Sequence, residues 1–267
     1  MLTETEFKQR LQNIECFAID LDGTTYLGDR VFPYTSRFIS FLRETNRSFL
    51  FITNNSSKTP QNYIDKFRSF GLEFEKDLIY TSADATIEYL KKKKVGKKLY
   101  ILGTKALIDY FLENGFSCEE SNPDAVVVGF DLELNYSRLQ VATNLLIQGV
   151  PFYATHPDFT CPVENGTVLP DCGAITAALT AASGRKPFVL GKPHTPMFEG
   201  VLRRTGSENS KIAVIGDRLM TDIEIGRQNN LLSILVLTGE TNLAMLQEST
   251  IQPDFVVPSL EDLIPFF

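Results

Sequence analysis

Phe17-Ala18-Ile19-Asp20-Leu21-Asp22-Gly23-Thr24-Thr25 decides the fold: an apolar run beginning at Cys16 ends in Asp20, carries a second Asp two residues on, and turns at Gly23. Open parallel sheets bind ligands beyond the carboxyl ends of their strands, so both carboxylates stand where a site is expected. Taken alone, an Asp-Gly turn after a strand is equally a common structural feature. An EF-hand loop starting at Asp20 is excluded, since it needs Gly at its sixth position and Glu at its twelfth, where the chain has Thr25 and Val31.

On either side of this run, short apolar stretches alternate with longer amphipathic ones. Strands are expected at Cys16–Leu21, Ser48–Thr53, Lys98–Leu102, Ala125–Val128, Phe152–Thr155, Phe188–Leu190, Ile212–Ile215 and Leu232–Leu237. Helical patterns fall between them, at Ser36–Thr45, Pro60–Phe70, Ala83–Lys94, Lys105–Asn114, Ser137–Gln148, Ala174–Ser183, His194–Thr205 and Thr221–Asn229. Such alternation implies βαβ units, and near-continuous apolar strands imply a sheet covered on both faces. The expected fold class is therefore α/β, with a doubly wound, Rossmann-like parallel-sheet core. Thr59-Pro60 reads as an N-cap with Pro at the first helical position, closed by Gly71. Thr221 and Glu224 read as a capping box.

Three further strand ends carry polar groups. The run Phe51-Ile52-Thr53-Asn54-Asn55-Ser56-Ser57 offers hydroxyls, amides and backbone N–H groups just before a helix, a setting that can hold a phosphate. Gly191-Lys192-Pro193 offers one cation, and it is not a Walker A loop, because the earlier Gly and the following Ser or Thr are missing. Ala213-Val214-Ile215-Gly216-Asp217 ends another strand in an acid, with Asp222 opening the next helix. Each of these has an ordinary structural reading when taken singly. Together they suit what phosphoryl transfer requires: an attacking carboxylate, a metal and a lysine to neutralise the equatorial oxygens, and a second carboxyl to move a proton. Mg²⁺ suits such a donor set, because it prefers oxygen ligands and keeps several waters.

Asp20-Leu21-Asp22-Gly23-Thr24, Thr53-Asn54-Asn55, Gly191-Lys192-Pro193 and Gly216-Asp217-Arg218-Leu219-Met220-Thr221-Asp222 resemble the four motifs of the haloacid-dehalogenase-like phosphohydrolases. Thr53-Asn54-Asn55-Ser56-Ser57, and Met197-Phe198 after the Gly-Lys-Pro, are most similar to their subclass IIA, the NagD-like or 4-nitrophenylphosphatase-like enzymes. The resemblance implies that Asp20 is the nucleophile and a Mg²⁺ ligand. It implies that Asp22 is the general acid and base, with its backbone carbonyl on the metal, and that Asp217 is the third ligand. Thr53 and the Asn54 backbone would hold the phosphoryl oxygens, Lys192 would offset charge on the phosphate and on Asp20, and Asp222 would orient the metal waters or the lysine. An acid at Asp22 favours phosphate esters over organohalides, since an alkoxide leaving group needs protonation and a halide does not.

Thr53 and Lys192 stand about 140 positions apart, whereas one βαβ crossover needs about 30. The excess predicts an insertion, set at 82–183, within a catalytic core of 1–81 plus 184–267; in the resembling family it is an α/β cap that selects substrates. Within it, Thr155-His156-Pro157-Asp158 and Pro170-Asp171-Cys172-Gly173 depart from the family pattern, which commonly has Asn at the place of His156 and Gly at that of Asp171. His156 and Asp171 are candidate substrate contacts, and Cys172 reads as a small buried filler.

Composition narrows the partners. The 267 residues carry 26 Lys and Arg against 33 Asp and Glu, a net charge of −7, which opposes a polyanionic partner. Nucleic acid is not expected. The four cysteines lack C-x-x-C spacing and there are two histidines, so a zinc site is unsupported and a reducing cytoplasm is expected. No apolar stretch approaches the ~20 residues that span a bilayer, so no membrane partner is expected. The expected protein is a cytoplasmic, Mg²⁺-dependent phosphatase of a small phosphomonoester; a homodimer is compatible with these readings. The alternatives are a phosphomutase or phosphotransferase on the same scaffold, and a non-catalytic binder of a phosphate ligand. A phospho-accepting receiver domain would need only half this length and no second Asp.

Overall fold

The computed structural model describes residues 1–163 and 167–267, which divide into two compact units. One comprises Met1–Thr53, Ile64–Tyr80 and Phe198–Phe267, the other Asn54–Tyr63 and Thr81–Met197. This division departs from the sequence boundaries in three places: residues 54–63, Thr81 and residues 184–197 group with the inserted segment rather than with the core.

The first unit is built on a six-stranded sheet ordered Phe255–Val257, Leu232–Val236, Ile212–Gly216, Cys16–Asp20, Ser48–Thr53, Ile79–Thr81. Cys16–Asp20 is central and pairs in parallel with both neighbours, Cys16 lying opposite Ile212 on one side and Ser48 on the other. The chain thus goes from this strand to one flank first and reaches the other flank only after the insertion. Its carboxyl end, at Asp20, is the switch point where an open α/β sheet binds ligands. Every residue of Cys16–Asp20 and of Ile212–Gly216 is buried, as expected for parallel strands covered on both faces. A chain without Trp fills its interior with Phe: the Phe67 and Phe74 rings meet edge to face 4.8 Å apart, and both pack on Phe51.

The second unit has its own five-stranded sheet, ordered Phe188–Val189, Phe152–Ala154, Ala125–Val128, Lys98–Leu102, Ser117–Cys118, with parallel pairings. Side chains alternate between its faces with the strand period of two. Tyr100, Leu102, Val126 and Val128 pack with Leu145, Leu146, Ile175 and Leu179 from the helices Tyr136–Ile147 and Cys172–Ser183. Leu99, Ile101, Ala125 and Val127 pack on the opposite face with Ile87, Leu90, Leu107 and Phe111 from Ser82–Lys93 and Lys105–Glu113. The first unit meets the expectation of a parallel-sheet α/β core, and the second that of an inserted α/β domain.

Thr59 and Asn62 cap the helix Pro60–Ser69 reciprocally, backbone N–H of each to side-chain oxygen of the other, and Gly71 ends it at φ +76°. The capping box expected at Thr221 and Glu224 does not form. Leu219–Ile223 winds as a π-helical turn before the α-helix Glu224–Asn229, and the Glu224 carboxylate instead accepts hydrogen bonds from Arg227 and Gln228 at 2.6–2.8 Å. No helix among the described residues is long and apolar enough to cross a membrane.

Candidate active site

In the first unit, Asp20 is the last residue of its strand, while Asp217 directly follows the strand Ile212–Gly216. The π-helical turn at Leu219–Ile223 carries Asp222 back toward them. Asp20, Asp217 and Asp222 are all buried, and one carboxylate oxygen from each lies within 4.8 Å of the others. Three buried anions at this separation repel one another strongly without a cation. Asp217 shows the strain: its carboxyl is pushed up to about 7, first by burial and then by the Asp222 charge. A compact set of hard oxygen donors fits a small divalent ion and suits neither a soft metal nor a haem.

The surrounding loops hold these acids in place. Oδ2 of Asp217 accepts from the Glu240 backbone N–H at 2.6 Å, and Oδ2 of Asp222 accepts from the Arg218 N–H at 3.2 Å. Gly23 has φ +91°, and a Cβ there would stand 2.5 Å from Asp217 Oδ2, so the turn after Asp22 admits no side chain. The Thr238 hydroxyl donates to the Gly23 carbonyl at 2.6 Å, tying that turn to the loop after Leu232–Val236. Asp22 is only half-buried, and its Oδ2 accepts from the Tyr26 hydroxyl at 3.2 Å. Thr53 is buried at the end of its strand.

In the second unit, Asn54 and Lys192 meet. The Asn54 side-chain oxygen accepts from the Lys192 backbone N–H at 2.7 Å, and its amide donates to the Lys192 carbonyl at 3.0 Å. This amide-to-peptide pair fixes the backbone of Lys192, whose side chain is only 2% exposed. The expectation for Asn54 concerned its backbone, and the role of its side chain was not foreseen. Ser56 was also missed: its buried hydroxyl accepts from the Phe130 N–H at 2.9 Å and from Thr155 at 3.1 Å.

His156 and Asp171 engage one another. The His156 ring is 0% exposed, with Nε2 2.9 Å from Asp171 Oδ1 and Nδ1 2.8 Å from the Thr155 hydroxyl. Asp171 also caps the helix Cys172–Ser183 by accepting from the Cys172 N–H at 2.6 Å. A role as leaving-group contacts, the expectation above, would require this buried pair to open. Cys172 is the filler expected of it: it is fully buried, with a thiol pushed up to about 12 by burial, so it supplies no thiolate near neutral pH.

Two family models match the chain, haloacid dehalogenase-like hydrolase over residues 17–117 and HAD-hydrolase-like over residues 189–263. The 5'-nucleotidase YutF of Bacillus subtilis is 32% identical over 250 residues, covering 94% of this chain and 97% of that protein. The dihydroxyacetone phosphatase of Corynebacterium glutamicum is 31% identical over 247 residues, 92% of this chain and 90% of that one. Among solved structures, a 4-nitrophenylphosphatase from Thermotoga maritima superimposes with a TM-score of 0.92 at 40% identity, covering 96% of this chain and 98% of that one. NagD from E. coli K-12 gives 0.86 at 31% identity, covering 93% and 98%.

Proposed function

The chain belongs to the haloacid dehalogenase-like hydrolases, in their NagD-like, 4-nitrophenylphosphatase-like branch, and on that footing we propose that it is a Mg²⁺-dependent phosphatase of small phosphomonoesters working through an aspartyl-phosphate. That it is a phosphatase is common ground with its relatives. The metal, the intermediate and the residue roles are the proposal, and the convergence of Asp20, Asp217 and Asp222 within 4.8 Å is the observation that carries it.

Bound among these acids, Mg²⁺ would offset their charge and that of the phosphoryl oxygens. Asp20, placed by its strand end, attacks phosphorus. Asp22, two residues on and half in solvent, gives a proton to the leaving oxygen and then takes one from the water that hydrolyses the acyl phosphate. The Asp22 backbone carbonyl is assigned to the metal with Asp20 and Asp217. Asp222, expected to act from behind the ligands, brings a carboxylate oxygen within 4.8 Å of those of Asp20 and Asp217, so we give it either direct ligation or a hold on metal water. Thr53, Asn54 and Lys192 are assigned to the phosphoryl group on the order of their motifs in the sequence. We assign substrate choice to the inserted segment 82–183, in the manner of a cap. Nucleotides, triose phosphates and sugar phosphates, the chemistries in the names of its relatives, are the substrate classes to try first. All four cysteines are free thiols, which supports a reducing, cytoplasmic setting.

The test is release of inorganic phosphate from a phosphomonoester panel, with Mg²⁺ and with excess chelator. Activity is expected only with the metal, and Asp20→Asn should lower it by at least about a thousandfold while leaving the circular dichroism unchanged. Full turnover in chelator, or a few per cent of wild-type activity in Asp20→Asn, would refute the proposal. Phosphate retained on the organic product, with none released to water, would establish the phosphomutase alternative instead.

A further inference from the structure

Tyr26 stands beside Asp22 in an arrangement that a packing role alone does not explain. Its ring is buried, yet its hydroxyl points at a carboxylate, donating to Asp22 Oδ2 at 3.2 Å. The backbone closes the loop between the two, since the Gly23 N–H donates to the Tyr26 carbonyl at 2.7 Å and Asp22 forms a single β-bridge with Tyr26. The ring is held by tilted and edge contacts with Phe67 and Phe70, 6.0 and 6.2 Å between centroids. A cation completes the group: Lys66 Nζ, on the helix Pro60–Ser69, sits 3.9 Å from the ring centroid, and Asp29 Oδ1 lies 3.9 Å from that Nζ. The Lys66 side chain is 13% exposed, so its charge is partly desolvated where it meets the ring.

We propose that Tyr26, supported by Lys66, is a positioning residue for the general acid Asp22. The inference rests on the acid–base role given to Asp22 above. A carboxyl group has two oxygens and turns freely about Cβ–Cγ, whereas proton transfer needs one oxygen aimed at the leaving group. Donation from Tyr26 makes Oδ2 the acceptor and leaves the acidic proton on Oδ1. The ammonium over the ring face draws electron density from the phenol and strengthens it as a donor. As the Asp20–phosphorus bond forms and the phosphorus–oxygen bond to the leaving group breaks, its electron pair passes to the leaving oxygen. That oxygen takes the proton from Oδ1, and Asp22 is left as a carboxylate with Oδ2 still bonded to Tyr26. In the second half the same carboxylate removes a proton from water as the water oxygen bonds to phosphorus and the Asp20–phosphorus bond breaks, which releases inorganic phosphate, frees the Asp20 carboxylate and restores the protonated acid.

The test compares kcat/KM for an alkyl phosphate, whose alkoxide must be protonated, with that for 2,4-dinitrophenyl phosphate, whose phenolate leaves without an acid. Tyr26→Phe keeps the ring and removes only the hydroxyl. The ratio of alkyl to dinitrophenyl kcat/KM is expected to fall about tenfold, a fraction of what a whole general acid contributes. Lys66→Met should lower the same ratio by about threefold, and Lys66→Arg, which can also lie over the ring, should restore it. Because Lys66 reaches solvent, this pair reads the effect even if Tyr26→Phe folds poorly. An unchanged ratio in both Tyr26→Phe and Lys66→Met overturns the inference. Asp22→Asn, measured alongside, separates the two levels. If it depresses the ratio while Tyr26→Phe does not, only the positioning role fails; if it lowers both esters equally, the acid role of Asp22 fails as well.

Discussion

Asp217 is a carboxyl group shut off from water beside a second acid, and its proton affinity follows from that. Its pKa in the folded protein, about 7, lies above the ~3.9 of an aspartate in an unfolded chain. The folded state therefore binds the proton more tightly, and the stability this group contributes is complete below about pH 4 and lost as pH rises toward 7. In chelator, the unfolding free energy from urea titrations should fall across that window by on the order of a few kcal/mol, and Asp217→Asn should flatten the fall. A slope unchanged in the variant would mean that Asp217 ionises freely in the folded protein. At this scale the sequence singled out the polar residues that end apolar runs, Asp20, Thr53, Asn54 and Asp217, and the structure brings the Asp20 and Asp217 carboxylates together. It was silent on Tyr26, because an aromatic in a turn has no spacing that separates an oriented hydroxyl from a packed ring. It was silent on Ser56 and the Asn54 amide for another reason: their partners lie 74–138 positions away along the chain.

Secondary elements were legible where burial is uniform. Ser48–Thr53, Lys98–Leu102 and Ala125–Val128 form at the residues expected, because a covered parallel strand needs an unbroken apolar run and nothing else nearby supplies one. Ile79–Thr81 and Phe255–Val257, edge strands of the first sheet, escaped notice since three residues set no period. Thr221–Glu224 had the spacing of a capping box, but Arg227 and Gln228 compete for the Glu224 carboxylate and the chain winds a wider turn there. Asp171 shows the opposite case, a residue singled out for chemistry that works as a cap. Asp171→Ala removes the acceptor for the Cys172 N–H and the carboxylate partner of the buried His156 Nε2, so it should destabilise the protein by about 1–3 kcal/mol. A double-mutant cycle with His156→Ala should show coupling of at least about 0.5 kcal/mol. Unchanged stability, with a reordered substrate preference instead, would return both residues to the leaving group.

The first unit is assembled from three separate stretches of chain, and its acids come from the two outer ones: Asp20 from Met1–Thr53, Asp217 and Asp222 from Phe198–Phe267. The sequence disclosed this through spacing, since motifs so far apart cannot belong to one βαβ unit. It did not disclose that 54–63 and 184–197 pack with the insertion, because the Asn54–Lys192 pairing that joins them is invisible in either segment alone. The Mg²⁺ proposed above, held by acids from both outer stretches, would bind the folded unit and find no comparable site in the unfolded chain, where those acids are nearly 200 positions apart. Mass action then stabilises the fold by about 2.7 kcal/mol at a hundredfold excess over Kd. For a chain of this size that corresponds to a rise in Tm of roughly 5–10 °C. Thermal melts with increasing Mg²⁺ should show that rise in the wild type, and Asp20→Asn and Asp217→Asn should each blunt it. The same substitutions relieve repulsion among the buried acids, so in chelator both variants should melt at or above the wild-type temperature, and wild type should overtake them only as the metal is added. A rise that persists undiminished in the Asp20→Asn, Asp217→Asn double variant would place the stabilising ion elsewhere on the protein.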